Sequence, residues 1–107
     1  MVLIVSTSRF PLSKAKEVSK KYIEVRKKFK IDRSLEKPVL QLGARIYDDY
    51  VETISITEVK EGKYEELMKI ITAQQLMYED IEGIKFRTET FFSGAEALPM
   101  VGFEMPD

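Results

Sequence analysis

The chain has 107 residues, of which 44% are hydrophobic and 33% are charged. This balance is typical of one folded domain with one core and excludes an intrinsically disordered chain. Seventeen Lys and Arg residues against eighteen Asp and Glu residues give a net charge of −1. The chain therefore lacks the global basic field that would attract nucleic acid, and nucleic acid is not an expected partner.

Four residue types are missing from the sequence: His, Cys, Trp and Asn. Without His and Cys, the usual zinc sites, thiolate nucleophiles, His-ligated haem and the Ser-His-Asp triad are excluded. We therefore expect no metal and no resident cofactor. Any catalysis would use Asp, Glu, Lys, Arg, Tyr, Ser, Thr, Gln or backbone groups.

Signals for membrane insertion or export are not evident in the sequence. No apolar run approaches the roughly 20 residues that span a bilayer. The apolar segment Met1–Val5 is followed at once by Ser6, and it is too short for the core of a signal peptide. A cytoplasmic location is the default expectation.

Apolar periodicity predicts the element order strand–helix–strand–strand–helix–strand. Residues 2–9 predict a strand, and its first half, Val2–Val5, is apolar on both faces, which indicates a central strand. A stripe of apolar residues three and four apart predicts a helix over Pro11–Lys30, with proline at its first position. A second helix is predicted between an N-cap at Gly62 and a stop at Gly83, and residues 84–92 form the last strand.

A hairpin is predicted for residues 39–47 and 50–59 around Asp48-Asp49, in a register where the numbers of opposite residues sum to 97. One face of this hairpin carries no charge and is expected to lie beneath the helices. That face holds Leu40, Leu42, Ala44, Ile46, Val51, Thr53, Ser55, Thr57 and Val59. The opposite face is still too apolar to be purely solvated, so we expect another surface to cover it.

The segment 93–107 is expected to be a C-terminal arm of the single domain 1–107. Gly94 and Pro99 interrupt it too often for a third helix, yet it is rich in large apolar residues. A disordered terminus is poor in such residues. We therefore expect an arm that contacts a partner subunit, and a lid over the chain's own ligand cavity is the alternative.

The predicted order is that of the ferredoxin-like α+β fold, with two helices on one face of a four-stranded antiparallel sheet. The chain resembles the dimeric α+β-barrel superfamily, and the local match is the segment Glu61-Gly62-Lys63-Tyr64-Glu65-Glu66-Leu67. The resemblance implies that two such sheets pack into a shared barrel. It also implies that cofactor-independent monooxygenases and lactone isomerases are among the relatives. Haem-degrading members rely on His, Asn and Trp, so that subfamily is set aside.

Two other families share this element order. An RNA-recognition motif needs aromatic residues and a basic-Gly-Phe signature on the third strand, which residues 50–59 do not supply. Amino-acid-binding regulatory domains of the ACT type stay open, although they favour glycine where this chain has Ser8-Arg9-Phe10-Pro11.

Five residues are candidates for ligand binding. Gln74 lies on the apolar stripe of the second helix, where a buried amide needs a partner. Tyr22 and Tyr78 have core spacing and carry hydroxyls that a polar ligand atom could use. Arg45 and Glu52 fall opposite each other in the hairpin, and we predict that they form a cross-strand ion pair rather than a catalytic pair.

Three functions remain open at this stage. The leading hypothesis is a homodimeric barrel that binds a small, partly apolar molecule between its helices and sheet. If the protein is an enzyme, we expect it to be cofactor-independent or to use a borrowed organic cofactor. A structural or assembly role is the competing hypothesis. A weaker alternative is an anion or nucleic-acid binder that works through the basic face of the first helix.

Overall fold

A computed structural model describes residues 1–107 and contains four strands in one antiparallel sheet. The strands are β1 (Val2–Pro11), β2 (Glu36–Tyr47), β3 (Tyr50–Val59) and β4 (Lys85–Phe92). Their order across the sheet is β2-β3-β1-β4. Helix α1 (Ala15–Lys28) joins β1 to β2, and helix α2 (Tyr64–Leu76) joins β3 to β4. The predicted ferredoxin-like order is confirmed.

Both long helices lie on the same face of the sheet. Val18 and Val25 of α1 pack in one core cluster with Val51 of β3. Leu67 of α2 packs in a second cluster with Ile4. Because side chains alternate along a strand and Ile4 pairs with Thr57, both clusters lie on one side. None of the helices combines the length and apolarity that crossing a bilayer requires.

The first helix begins later than predicted. Strand β1 continues to Pro11, which pairs with Tyr50, and the Leu12 amide donates to the Asp49 carbonyl at 2.7 Å. This pairing keeps the chain extended past the proline. A short 3₁₀ turn at Leu12–Lys14 then leads into α1.

The second helix also has different ends. It ends at Leu76 rather than near Gly83, because the amides of Tyr78 and Glu79 bond carbonyls three residues back and the chain continues in tighter turns. Tyr78 is buried there, and its ring meets Phe86 edge-on at 5.2 Å. Its N-cap is Lys63 rather than Gly62. Gly62 instead supplies a left-handed turn, with φ of 75°, before the helix.

The hairpin register is confirmed near its turn and wrong farther away. Pairs from Tyr47↔Tyr50 back to Gly43↔Ile54 keep the predicted register. Two irregularities follow, so Leu40 lies opposite Ile56 instead of on the helix-facing side with Thr57. Bulges of this kind suit a strand that contains Pro38, which has no amide to donate.

The C-terminal arm does contain a third helix, contrary to the sequence expectation. Helix α3 covers Gly94–Ala97, because the Ser93 hydroxyl accepts a hydrogen bond from the Glu96 amide and caps it. A 3₁₀ turn follows at Leu98–Val101. The terminal amine of Met1 pairs with Glu96 and ties the arm to the start of β1.

Candidate functional site

A cavity of about 400 Å³ separates the two long helices from the sheet. Its wall takes residues from α1, α2 and the first three strands, together with Phe86 of β4. Pockets for drug-sized molecules have volumes of about 300–1,000 Å³. The interior of this domain therefore has room for a small ligand where a solid core would otherwise lie.

The sheet face beneath the helices, here called the floor, is rich in hydroxyl groups. Three neighbouring cross-strand rows on it contain Thr53, Ser8 and Phe86; Ser55, Ser6 and Thr88; and Thr57, Ile4 and Thr90. A buried sheet face normally carries apolar side chains. The hydroxyls therefore give the cavity a hydrogen-bonding surface under its apolar wall.

The outer hydroxyls of the floor have partners within the chain. Ser8 hydrogen-bonds Thr53, and Thr88 accepts a hydrogen bond from the Gln75 amide at 2.7 Å. Thr57 donates to a Glu36 carboxylate oxygen at 2.8 Å, and Thr90 bonds the Tyr64 hydroxyl at 2.7 Å. These bonds hold the edges of the floor in one arrangement.

The two central hydroxyls of the floor have no such partners. Ser6 and Ser55 lie directly opposite each other on β1 and β3, and both line the cavity. Neither side chain takes part in any side-chain hydrogen bond of the structure. Their donor and acceptor capacity is therefore free for a molecule in the cavity.

Three of the five predicted site residues line this cavity. Tyr22 reaches it from α1, Gln74 from α2, and Tyr78 from the turn that follows α2. Gln74 makes no side-chain hydrogen bond within the chain. Its half-buried amide therefore has no partner within the chain on the α2 side of the cavity, where a ligand could form hydrogen bonds with it.

Tyr78 is a hydrogen-bond donor in this setting rather than a base. Burial raises the pKa of Tyr78 to about 12, the neighbouring Tyr22 hydroxyl adds to the rise, and the Arg26 guanidinium opposes it. These effects require the three side chains to lie near one another. The phenol therefore keeps its proton throughout the neutral range.

The other two predicted residues lie outside the cavity. Arg45 and Glu52 pair across the hairpin at 3.2 Å, as predicted. Because Val51 faces the helices, its neighbour Glu52 points to the opposite side of the sheet. The structure therefore brings Tyr22, Gln74 and Tyr78 together and keeps Arg45 and Glu52 apart from them.

The cavity opens to solvent between α1 and β2. The exposed members of its wall include Ile23 of α1 and Leu42 of β2. Strand β2 is the edge strand on this side, and its helix-facing residues such as Ala44 are exposed. A ligand would enter along this gap. No residue of the C-terminal arm lines the cavity.

Sequence reasoning missed the hydroxyl floor and Arg26. The floor has a detectable signal, since Ser6 and Ser8 alternate along β1 as Thr53 and Ser55 alternate along β3. Period-two alternation of polar residues on a face that lies beneath helices indicates a polar interior surface. Arg26 has no comparable signal, because it stands among many basic residues of α1.

The opposite sheet face, here called the open face, points away from α1 and α2. Its first charged row from the hairpin turn is mainly basic, with Arg45, Glu52, Arg9 and Lys85, and Arg87 lies in the next row. The far rows hold Glu58 and Glu89 with one basic residue, Lys37. Apolar residues lie between and beside these charges, namely Leu3, Val5, Ile54, Ile56 and Phe91.

Acidic side chains do not gather in groups that could hold a metal ion. The ion pairs of the helices are local: Lys14–Glu17 and Lys21–Glu24 lie within or beside α1, and Lys69–Glu65 lies within α2. No ion pair joins α1 to α2.

Comparison with known proteins finds no matching family model and no matching curated relative. The de novo designed protein Foldit4 superposes with a TM-score of 0.53 at 14% identity, over 86% of this chain and 97% of that one. A formyltetrahydrofolate deformylase from Pseudomonas putida KT2440 superposes with a TM-score of 0.46 at 11% identity, over 81% of this chain and 28% of that one. The de novo designed protein Ferredog-Diesel superposes with a TM-score of 0.46 at 17% identity, over 81% of this chain and 83% of that one. The likeness to Foldit4 supports the ferredoxin-like α+β fold.

Proposed function

We propose that this protein binds a small, partly apolar molecule in the cavity between its helices and its sheet. The observation that carries the proposal is the cavity of about 400 Å³, whose floor has free hydroxyls at its centre. An apolar wall with a few convergent polar groups is the usual composition of a ligand site. Ile71, Val51 and Phe86 would contact the apolar body, and Ser6, Ser55 and Gln74 would fix its orientation.

The unpaired polar groups favour a ligand over an unfilled core. Ser6, Ser55 and Gln74 are half-buried, and a ligand that displaces the water around them would have to make the hydrogen bonds that this water makes. Ser6, Ser55 and Gln74 all face the same space, so one ligand or its bound water could satisfy them together. A chain selected only for assembly would gain stability from apolar residues at these positions.

We also propose that two copies of the chain pack through their open faces, as the barrel resemblance implies. The open face is basic near the hairpin turn and more acidic at the other end, with apolar residues between. In an antiparallel two-fold arrangement, the basic end of each copy meets the acidic end of the other. Exposed Phe91 and the apolar residues beside it would then be covered.

If the bound molecule is transformed, cofactor-independent oxygenation or isomerisation is the reaction class that the resemblance implies. Glu36 carries the only carboxylate of the cavity wall and is its only candidate base. Tyr78 stays protonated and would act as a donor, since its pKa is raised to about 12.

A binding titration tests the cavity proposal. The probe is N-phenyl-1-naphthylamine, a neutral apolar molecule whose fluorescence rises on leaving water. Wild-type protein should bind it, and Ser55→Leu should abolish binding because the added side chain fills the centre of the cavity. Ser13→Leu makes the same change at an exposed position outside the wall and should leave binding unchanged. Equal binding by wild type and Ser55→Leu would contradict the proposal.

A further inference from the structure

Arg26 is the only basic residue in the cavity wall, and its charge has no partner. The Nε atom of Arg26 is buried and makes no hydrogen bond. None of the ion pairs of the structure includes it. Its guanidinium carbon lies 6.0 Å from the Tyr22 ring centroid, and its charge acts on buried Tyr78, so the group is directed inward.

The chain offers Arg26 no internal counter-charge. Side chains three and four residues away on a helix are its neighbours, and for Arg26 these are Tyr22, Ile23, Phe29 and Lys30. Glu36 is the only acid that shares the cavity wall. One oxygen of Glu36 accepts the Thr57 hydroxyl, and Glu36 forms no ion pair with Arg26.

A partly buried charge without a partner is costly, and an anion that enters the cavity removes that cost. The arginine fork binds planar oxyanions through paired hydrogen bonds. Tyr22 and Tyr78 beside it supply further hydroxyl donors. These groups together form one anion-accepting end in a wall that is otherwise largely apolar.

We infer that the ligand of the cavity is an amphipathic anion, with a carboxylate-like or sulfonate-like group held by Arg26 and an apolar body that lies over the floor. This inference rests on the proposed function, because it names the class of molecule that the same cavity takes. A free inorganic anion shares the charge but lacks the apolar body, so it should bind poorly. The anionic group is part of the ligand, and Arg26 favours ligands that carry such a group.

A matched pair of probes tests the inference. 8-Anilino-1-naphthalenesulfonate has the skeleton of N-phenyl-1-naphthylamine with a sulfonate added. Wild type should bind the anionic probe more tightly than the neutral one. Arg26→Met should lower affinity for the anionic probe at least about tenfold and leave affinity for the neutral probe within about twofold. Arg26→Lys should retain part of the preference, and Arg33→Met, an exposed arginine outside the wall, should change neither affinity.

The possible outcomes separate this inference from the proposed function. If Arg26→Met binds both probes as wild type does, or loses both equally, the inference is wrong while the cavity proposal stands. If sodium sulfate displaces the anionic probe from wild type but not from Arg26→Met, the site takes a free anion and the inference is wrong. If wild type binds neither probe, both proposals fail. Thermal unfolding checks the fold of Arg26→Met, which breaks no ion pair, loses only the contact with the Tyr22 ring and should melt close to wild type.

Discussion

Ser6 and Ser55 lie opposite each other at the centre of the floor, and neither hydroxyl has a hydrogen-bond partner within the chain. The hydroxyls on either side of this pair are all bonded, for example Ser8 to Thr53 and Thr88 to Gln75. Hydrogen bonds therefore hold the sheet around Ser6 and Ser55, whose own hydroxyls remain unbonded within the chain. The proposed ligand would take up hydrogen-bonding capacity that the fold itself does not use.

Filling the cavity should stabilise the domain. Ser55→Leu adds apolar surface to an existing space and breaks no side-chain hydrogen bond, so we expect a gain of about 1 kcal/mol, or about 4–8 °C in the melting temperature. Ser8→Leu is the matched control, since Ser8 is buried and bonded to Thr53. It should destabilise, because it removes that bond and overpacks the sheet. Differential scanning calorimetry measures the melting temperatures of both variants. A Ser55→Leu variant that melts below wild type would show that the cavity has no room for the added side chain.

The raised pKa of Tyr78 should appear as an alkaline loss of stability. The phenol titrates near pH 10 when unfolded and at about 12 when folded, so the folded state binds more protons between these values. Its contribution is complete below pH 10 and is lost as the pH rises toward 12. Urea unfolding at pH 8 and pH 11 should show a larger fall in the free energy of unfolding for wild type than for Tyr78→Phe, by about 1.4 kcal/mol. Equal slopes would show that Tyr78 titrates in the folded state as it does in water.

The Arg45–Glu52 pair should contribute little to stability. The atoms lie 3.2 Å apart, but the Arg45 side chain is 69% exposed, so water and salt screen the attraction. A double-mutant cycle with Arg45→Ala and Glu52→Ala should give a coupling free energy of about 0.2–1 kcal/mol that shrinks at high salt. Neither substitution should alter probe binding. A large loss of probe binding in either variant would contradict this and would indicate that Arg45 and Glu52 take part in ligand binding.

The open face should carry the subunit contact. Phe91 lies on this face and is 48% exposed, so Phe91→Glu should disrupt a dimer while leaving the chain folded. Phe92→Glu is the neighbouring control on the other side of the strand, where the side chain is 57% exposed. Sedimentation at micromolar concentration should show about twice the 12.4 kDa chain mass for wild type and for Phe92→Glu. A wild-type monomer, or a dimer that Phe91→Glu leaves intact, would contradict the proposed arrangement.

Local patterns in the sequence predicted the element order, the register beside the hairpin turn and the pairing of Arg45 with Glu52. These features depend on alternation and turn position, which neighbouring residues decide. The displacement of Leu40 to a position opposite Ile56 depends on bulges, and alternation alone does not reveal them. The late start of α1 depends on a bond from Leu12 to the distant hairpin turn at Asp49.

The candidate site could be predicted only in part, for a related reason. Tyr22, Gln74 and Tyr78 were found because each is a polar residue on an apolar stripe. The cavity itself results from the spacing between the helices and the sheet, which is a tertiary property. Arg26 shares its helix with many lysines, and only the packed structure shows that its Nε is buried while their charges lie at the surface or in local pairs.

The central claim is that a small molecule binds between the helices and the sheet, and chemical-shift mapping tests it most directly. Two-dimensional ¹H–¹⁵N spectra of wild-type protein are recorded as N-phenyl-1-naphthylamine is added. The account predicts saturable shift changes at the backbone amides of Ser6 and Ser55 and at the side-chain amide of Gln74, with little change at Lys85 and Arg87 on the open face. Shift changes confined to the open face, or none at saturating probe, would contradict it.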